Sequence, residues 1–145
     1  MKLRLDRNMS PVPCTPMGQD GDEQRIDRLS RATALFAGLA RADSEVAGIA
    51  YLAEDARLLA LRVIRGGADR VAVPPRLLTL DALAFNARAV IVAHNHPSGD
   101  PQPSRHDLAH LRCAARTLGA LDIRLIDHLI VTRETMTSLR ALGMI

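Results

Sequence analysis

The side chains able to do chemistry are concentrated in one stretch of this chain. It runs His94-Asn95-His96-Pro97-Ser98-Gly99-Asp100-Pro101-Gln102-Pro103-Ser104-Arg105-His106-Asp107. The apolar run Ala89–Ala93 before it predicts a buried strand, so His94 and His96, two positions apart at its end, project to one face. Paired imidazoles of this kind are the first half of a zinc site. Three prolines and a glycine over 97–103 exclude regular structure and turn the chain back. Asp107 then falls in the first turn of a helix predicted over 104–118, which Gly119 stops. Its carboxylate can complete a His₂Asp set, leaving a fourth position open for water, as in catalytic rather than structural zinc. Zinc so bound lowers the pKa of that water toward neutrality and polarises a bound carbonyl.

Each piece also has a plainer reading. Ser104-Arg105-His106-Asp107 is an S-x-x-D capping box opening an apolar helix, and a solitary H-x-H can be two polar loop residues. The combination favours a metal, and capping is compatible with it, since Ser104 can cap while Asp107 turns toward an ion. His106 and His110 stand four apart on the helix. The string between them lacks the H-E-x-x-H of a zincin, so they read as partly exposed helix residues. The contiguous letters His94-Asn95-His96 do not match HNH nucleases, which spread those residues across a ββα motif. Ser98-Gly99 breaks the H-x-H-x-D-H of metallo-β-lactamase-type hydrolases, and the H-x-E with P-C-x-x-C of zinc deaminases is absent.

A scaffold must place these residues. Residues 1–21, with Pro11, Pro13, Pro16, Gly18 and Gly21, read as a flexible N-terminal tail. Ile26, Leu29, Phe36 and Leu39 then share one stripe, which predicts an amphipathic helix over 22–40. That helix can pack on the domain or on a second subunit, so a homo-oligomer built through it stays open. The domain itself is expected over 41–145. Glu45–Leu52 and Leu58–Ile64 read as a hairpin, followed by a loop over 65–69 and a short strand at Val71–Val73. Pro74-Pro75 opens a helix from about 76 to 87, and Leu121–Ile126 and Leu129–Thr132 read as two further strands. The class is α/β, one mixed β-sheet flanked by helices.

Composition removes several alternatives. A chain of 145 residues, 48% hydrophobic and 24% charged, is neither disordered nor collagen-like and holds one domain with an arm. Phe36, Tyr51 and Phe85 are its only aromatics, so the core is aliphatic and no stacking platform for single-stranded nucleic acid is available. The net charge of +3 is spread along the chain and is weak evidence for nucleic-acid binding. Cys14 and Cys113 form no motif, no apolar run nears the roughly 20 residues of a membrane span, and no signal peptide is visible. A cytoplasmic protein without membrane association is expected.

The string H-x-H-P-x₆-S-x₂-D, complete from His94 to Asp107, resembles the JAMM (MPN+) zinc metallopeptidase motif. The fuller HNHPSGDPQPS resembles the RadC subgroup, as do Ser44-Glu45-Val46, Pro75-Arg76 and Asp127-His128-Leu129-Ile130. The likeness covers about residues 41–145. It implies the JAB/MPN fold, similar to the cytidine-deaminase architecture, and one zinc per chain held by His94, His96 and Asp107. It further implies that the Ser104 hydroxyl stabilises a tetrahedral intermediate. Glu45 would take a proton from the zinc-bound water and pass it to the leaving amine. Glu45 suits that role because it begins an apolar strand, whereas Glu54 and Asp55 lie in a turn. Asp127 and His128 match a family position without an assigned role. The implied function is a zinc-dependent peptidase or isopeptidase acting on a peptide or protein tail. Full-length RadC relatives carry a helix-hairpin-helix region, and residues 1–40 offer one helix with no G-x-G between two. Nucleic acid is therefore expected to bind at most weakly and non-specifically. The alternative is a DNA-processing accessory or interaction module whose metal site is structural or idle.

Overall fold

The protein is described by a computed structural model over residues 25–66 and 70–145. The expected N-terminal tail lies outside the described residues. The strands are β1 (Val46–Leu52), β2 (Leu58–Arg65), β3 (Ala89–Asn95), β4 (Arg124–Val131) and β5 (Met136–Ser138). They form one mixed sheet in the order β2-β1-β3-β4-β5. β1 pairs antiparallel with β2 and β3, β3 runs parallel to β4, and β5 closes the far edge antiparallel to β4. Helices α2 (Pro75–Ala84) and α3 (Arg105–Gly119) cover one face, and α1 (Leu29–Phe36) covers the other. This is the α/β architecture with helices flanking a mixed sheet.

Helices on both faces explain why β1, and β3 as far as Ala93, are apolar. Every residue of both strands is buried, the pattern of strands covered on two sides. On β3, Val90 and Val92 face α2 and α3, while Ala89, Ile91 and Ala93 face α1. Gly48 of β1 lies beneath the Phe36 ring, where a Cβ would come within 2.7 Å of a ring carbon. The missing side chain lets α1 seat on the sheet.

Four local expectations are corrected. Among the described residues, the helix expected over 22–40 is α-helical only from Leu29 to Phe36, with a 3-10 segment over Ala37–Arg41. Before it, Arg25 bridges Arg57, and the Ile26 amide donates to the Ala56 carbonyl at 2.8 Å, so pairing with the β1–β2 turn outcompetes the helix. The strand expected at Val71–Val73 is unpaired, because the Val71 amide donates instead to the Glu45 carboxylate. α2 ends at Ala84, short of 87, because Asn86 turns into the left-handed region at φ 52°. The strands expected at 121–126 and 129–132 are one strand, β4, and β5 was not anticipated.

β4 looked like two pieces because it carries a bulge. Val90 faces Leu125, but Ile91 faces Asp127, so Ile126 is the extra residue. One inserted residue exchanges the faces of everything beyond it. His128 thereby turns to the α2/α3 side opposite Val92, and Asp127 to the other. Arg140 donates to the carbonyls of Ile126 and Leu125. Asp127 accepts from the Ser138 hydroxyl at 2.5 Å and from the amides of His128 and Arg140 at 2.7 and 3.1 Å. Among the described residues, no helix is long and apolar enough to cross a membrane.

The helix layer is pinned by a buried ion pair. Arg62 of β2 makes a two-pronged contact with Asp81 of α2, which also accepts from the Tyr51 hydroxyl of β1 at 3.2 Å. Arg62 and Asp81 are each 7% exposed. Removing one partner strands a buried charge, so Arg62→Ala should lower unfolding free energy by about 3–5 kcal/mol. The double variant Arg62→Met/Asp81→Leu should lose much less than the sum of its single variants. Urea unfolding of all variants checks this.

Candidate metal centre

β3 ends at Asn95, and the His96 amide continues the pairing by donating to the Val131 carbonyl at 2.9 Å. His94 and His96 therefore project to the α2/α3 face, as their spacing requires. The loop over 97–103 brings the start of α3 back over them. There the capping box forms: the Ser104 hydroxyl accepts from the Asp107 amide at 3.1 Å, and the Asp107 carboxylate accepts from the Ser104 amide at 2.7 Å. Ser104 thus caps the helix and also fixes the carboxylate.

The three predicted ligands converge. His94 Nε2 and His96 Nε2 lie 2.9 Å apart. Asp107 Oδ1 lies 3.1 Å from the first, and Oδ2 lies 3.2 Å from the second. One ligand atom from each residue fits within a span of 4.8 Å, so the group could hold a metal ion. The outer ring nitrogens are held as well. His96 Nδ1 faces the Asp100 carbonyl at 2.8 Å. A carbonyl only accepts, so Nδ1 carries the proton and, in the neutral ring, Nε2 turns a lone pair inward. His94 Nδ1 meets His128 Nε2 at 2.8 Å. Each facing pair of ring nitrogens is satisfied when one N–H donates to the other's lone pair.

The electrostatics agree. Burial opposes the Asp107 charge, yet the His94 and His96 rings and the Ser104 amide hold its carboxyl far below the usual range. The hydrogen bond with Asp107 raises the His96 pKa against its burial. His128 lies under the pair, and burial, helped by the neighbouring His94, pushes it down to about 3. It is therefore a neutral ring bracing a candidate ligand, in the place where a metal-binding histidine ordinarily finds its outer support. Sequence reasoning left this residue unassigned. The available signal was the Leu125-Ile126 pair, which breaks the alternation just before it. His106 and His110 are half-buried, with ring centres 4.5 Å apart. Each borders the centre, His106 beside Asp107 and Glu45, and His110 beside His94 and His128.

Glu45 stands one residue before β1, on the same side as Ala47, whose register partner is His94. Its carboxylate shares a cleft with Ser104, Asp107, Arg70, Arg105 and His106. Oε2 accepts from the Val71 amide at 2.9 Å, and the Glu45 carbonyl accepts from the Gly66 amide at 3.0 Å. The other carboxylate oxygen has no partner among the described residues. Glu45 is thus placed beside the three candidate ligands without joining them.

A RadC-like JAB domain profile matches residues 26–144. A UPF0758 protein of Bordetella avium is 44% identical over 96 residues, covering 66% of this chain and 43% of the relative. A UPF0758 protein of Leptothrix cholodnii is 39% identical over 108 residues, covering 74% and 49%. One from Vibrio cholerae is 38% identical over 100 residues, covering 68% and 63%. The chain spans about half the length of the curated relatives it matches.

The buried His128 makes a pH prediction for the metal-free protein. Its folded pKa of about 3 lies below the ordinary histidine value near 6.5, so the unfolded chain binds the extra proton between them. The stability it contributes is complete above about pH 6.5 and declines as pH falls toward 3. In chelator, His128→Asn should flatten the acid limb of the curve of Tm against pH. An unchanged limb would mean that His128 is not buried as a neutral ring.

Proposed function

The chain belongs to the RadC-like JAB domain family, and from that premise we propose that it is a zinc-dependent hydrolase cleaving a peptide or isopeptide bond in a protein or peptide tail. The observation that carries the proposal is the spacing of the donor atoms. A tetrahedral zinc with bonds of about 2.0–2.1 Å separates neighbouring ligand atoms by roughly 3.3 Å. The two histidine nitrogens lie 2.9 Å apart, each lies 3.1–3.2 Å from one of the two Asp107 oxygens, and one ligand atom from each residue fits within 4.8 Å. A closed structural site would have four protein ligands, and among the described residues three converge.

His94, His96 and Asp107 would hold the ion, one per chain. When bound, zinc polarises a substrate carbonyl and brings the pKa of water toward neutrality. The remaining roles fall to the chain itself. Glu45, tethered at one oxygen by Val71, accepts a proton from the attacking water with the other. It delivers that proton to the amide nitrogen as the C–N bond breaks, so an acid and an amine leave. The Ser104 oxygen accepts from the Asp107 amide, which leaves its own hydrogen to donate to the oxyanion of the tetrahedral intermediate.

Metal analysis of protein purified without added zinc should give about one ion per chain. Stoichiometry near zero with no uptake on titration would remove the assignment. Asp107→Ala and Ser104→Ala should separate. The first should lose zinc and the stabilisation that comes with it, while the second should keep zinc, lose about 1 kcal/mol of capping stability and turn over slowly. Equal, metal-independent destabilisation by both would reduce the segment to a helix cap.

A panel of linear and isopeptide-linked tails supplies the activity assay. Glu45→Gln should retain zinc and lose ~10²–10⁴-fold in turnover. Loss of zinc in that variant would make Glu45 a ligand instead. DNA binding should be weak and fade steeply with salt. Nanomolar or sequence-specific binding at physiological salt would favour an interaction module with an idle metal.

A further inference from the structure

Asn95, between the two histidines, points to the opposite face of β3 and is 1% exposed. Its side-chain hydrogen bonds all go to the segment leading into β1. Oδ1 accepts from the Val46 amide at 2.6 Å. Nδ2 donates to the Ala42 carbonyl at 3.2 Å and to the Ser44 carbonyl at 3.1 Å. An N–H needs the oxygen and two carbonyls need the NH₂ group, so only one orientation of the amide satisfies all three. Two of these contacts fall on the residues immediately before and after Glu45.

The ladder cannot supply this restraint. The β1–β3 register begins at Ala47 opposite His94, and the β1–β2 register at Val46 opposite Arg65. Glu45 lies beyond both. From the other side it is held by the Gly66 amide on its carbonyl and the Val71 amide on its carboxylate. Gly66 folds back so tightly that a Cβ there would lie 2.3 Å from the Arg70 carbonyl oxygen.

We propose that Asn95 is the positioning residue for Glu45, so that the string His94-Asn95-His96 is one device with two faces. The histidines grip the ion on one side, and the asparagine between them sets the general base from the other. Any shift of the end of β3 then moves ligands and base together. This inference rests on the proposed hydrolase reading, because it gives Asn95 a purpose only if Glu45 works beside the metal.

The test uses cobalt in place of zinc and needs no substrate. The visible spectrum of cobalt-loaded protein is titrated with pH, and the midpoint of the ionisation at the metal is read. Glu45→Gln should lower the midpoint by roughly half a pH unit or more, because the lost negative charge no longer opposes loss of a proton. Asn95→Ala should bind cobalt at wild-type stoichiometry and shift the midpoint the same way. The double variant should shift no further than Glu45→Gln alone, since Asn95 acts through Glu45. Asn95→Ser, neutral and small, should also shift it and serves where the alanine variant folds poorly.

A wild-type midpoint in the folded asparagine variants, additive shifts in the double variant, or loss of cobalt would each overturn the assignment. A flat response to Glu45→Gln, or no cobalt uptake by the wild type, would instead remove the hydrolase reading, and the inference would fall with it. The two failures are distinguished by whether Glu45→Gln moves the midpoint.

Discussion

Two imidazole nitrogens held 2.9 Å apart against a buried carboxylate constrain the rest of this molecule. Two ring nitrogens at this distance must share a hydrogen or a cation, and a carboxylate taken from water needs compensation. In the metal-free protein Asp107 raises the proton affinity of His96, and the shared group is a hydrogen. A divalent cation would take its place and release it, so metal affinity and proton affinity compete for one location. In the metal-free protein Asp107 stays ionised, because its contacts with both rings and the Ser104 amide outweigh its burial.

Holding that contact is the task of β3, the strand whose neighbours on both sides reach the site. Its antiparallel partner β1 leads in from Glu45, and its parallel partner β4 carries His128. The bulge at Ile126 is the step that puts His128 on the correct face. Without the extra residue, the alternation set by Leu125 would carry Asp127 to the metal side and His128 to the other. The bulge leaves the carbonyls of Leu125 and Ile126 needing partners, and Arg140 takes both. Asp127, turned to the α1 side, ties β4 to Ser138 and Arg140. The short last strand and the turn after it, remote in sequence from His94, thus stabilise the local geometry that braces it.

The candidate ligands were legible in the sequence because they depend on local rules. Period-two alternation sets His94 beside His96, prolines force the return, and a capping box fixes where Asp107 begins its helix. The apolar runs of β1 and of β3 up to Ala93 are equally readable, since a strand covered on both faces needs no alternation. What could not be read depends on contacts between distant segments. The bulge is one, a departure from period two that looks like a strand end. The partner of Val71 is another: an apolar run reads as a strand, and only the fold shows its amide given to Glu45. The helix expected over 22–40 shortened for the same reason, because the Ile26 amide found the Ala56 carbonyl. Asn95 was read past because its neighbours carried the recognisable chemistry.

Ligands and base accordingly depend on the fold to different degrees. His94, His96 and Asp107 come from one strand, loop and helix start, and a cation can help draw them together. Glu45 precedes them by 49 residues at His94, and its place requires that β1 be docked on β3 and that the segment over 66–71 fold back onto it. A metal can reward the first arrangement directly. It rewards the second only through its field, since Glu45 contributes no ligand atom to the triad. The base must therefore be secured by the protein's own hydrogen bonds, and those bonds come from backbone amides and one buried carboxamide, groups that do not titrate at any pH the fold survives. Placing the restraint on uncharged groups keeps the charge at Glu45 unpaired by any arginine or lysine contact among the described residues.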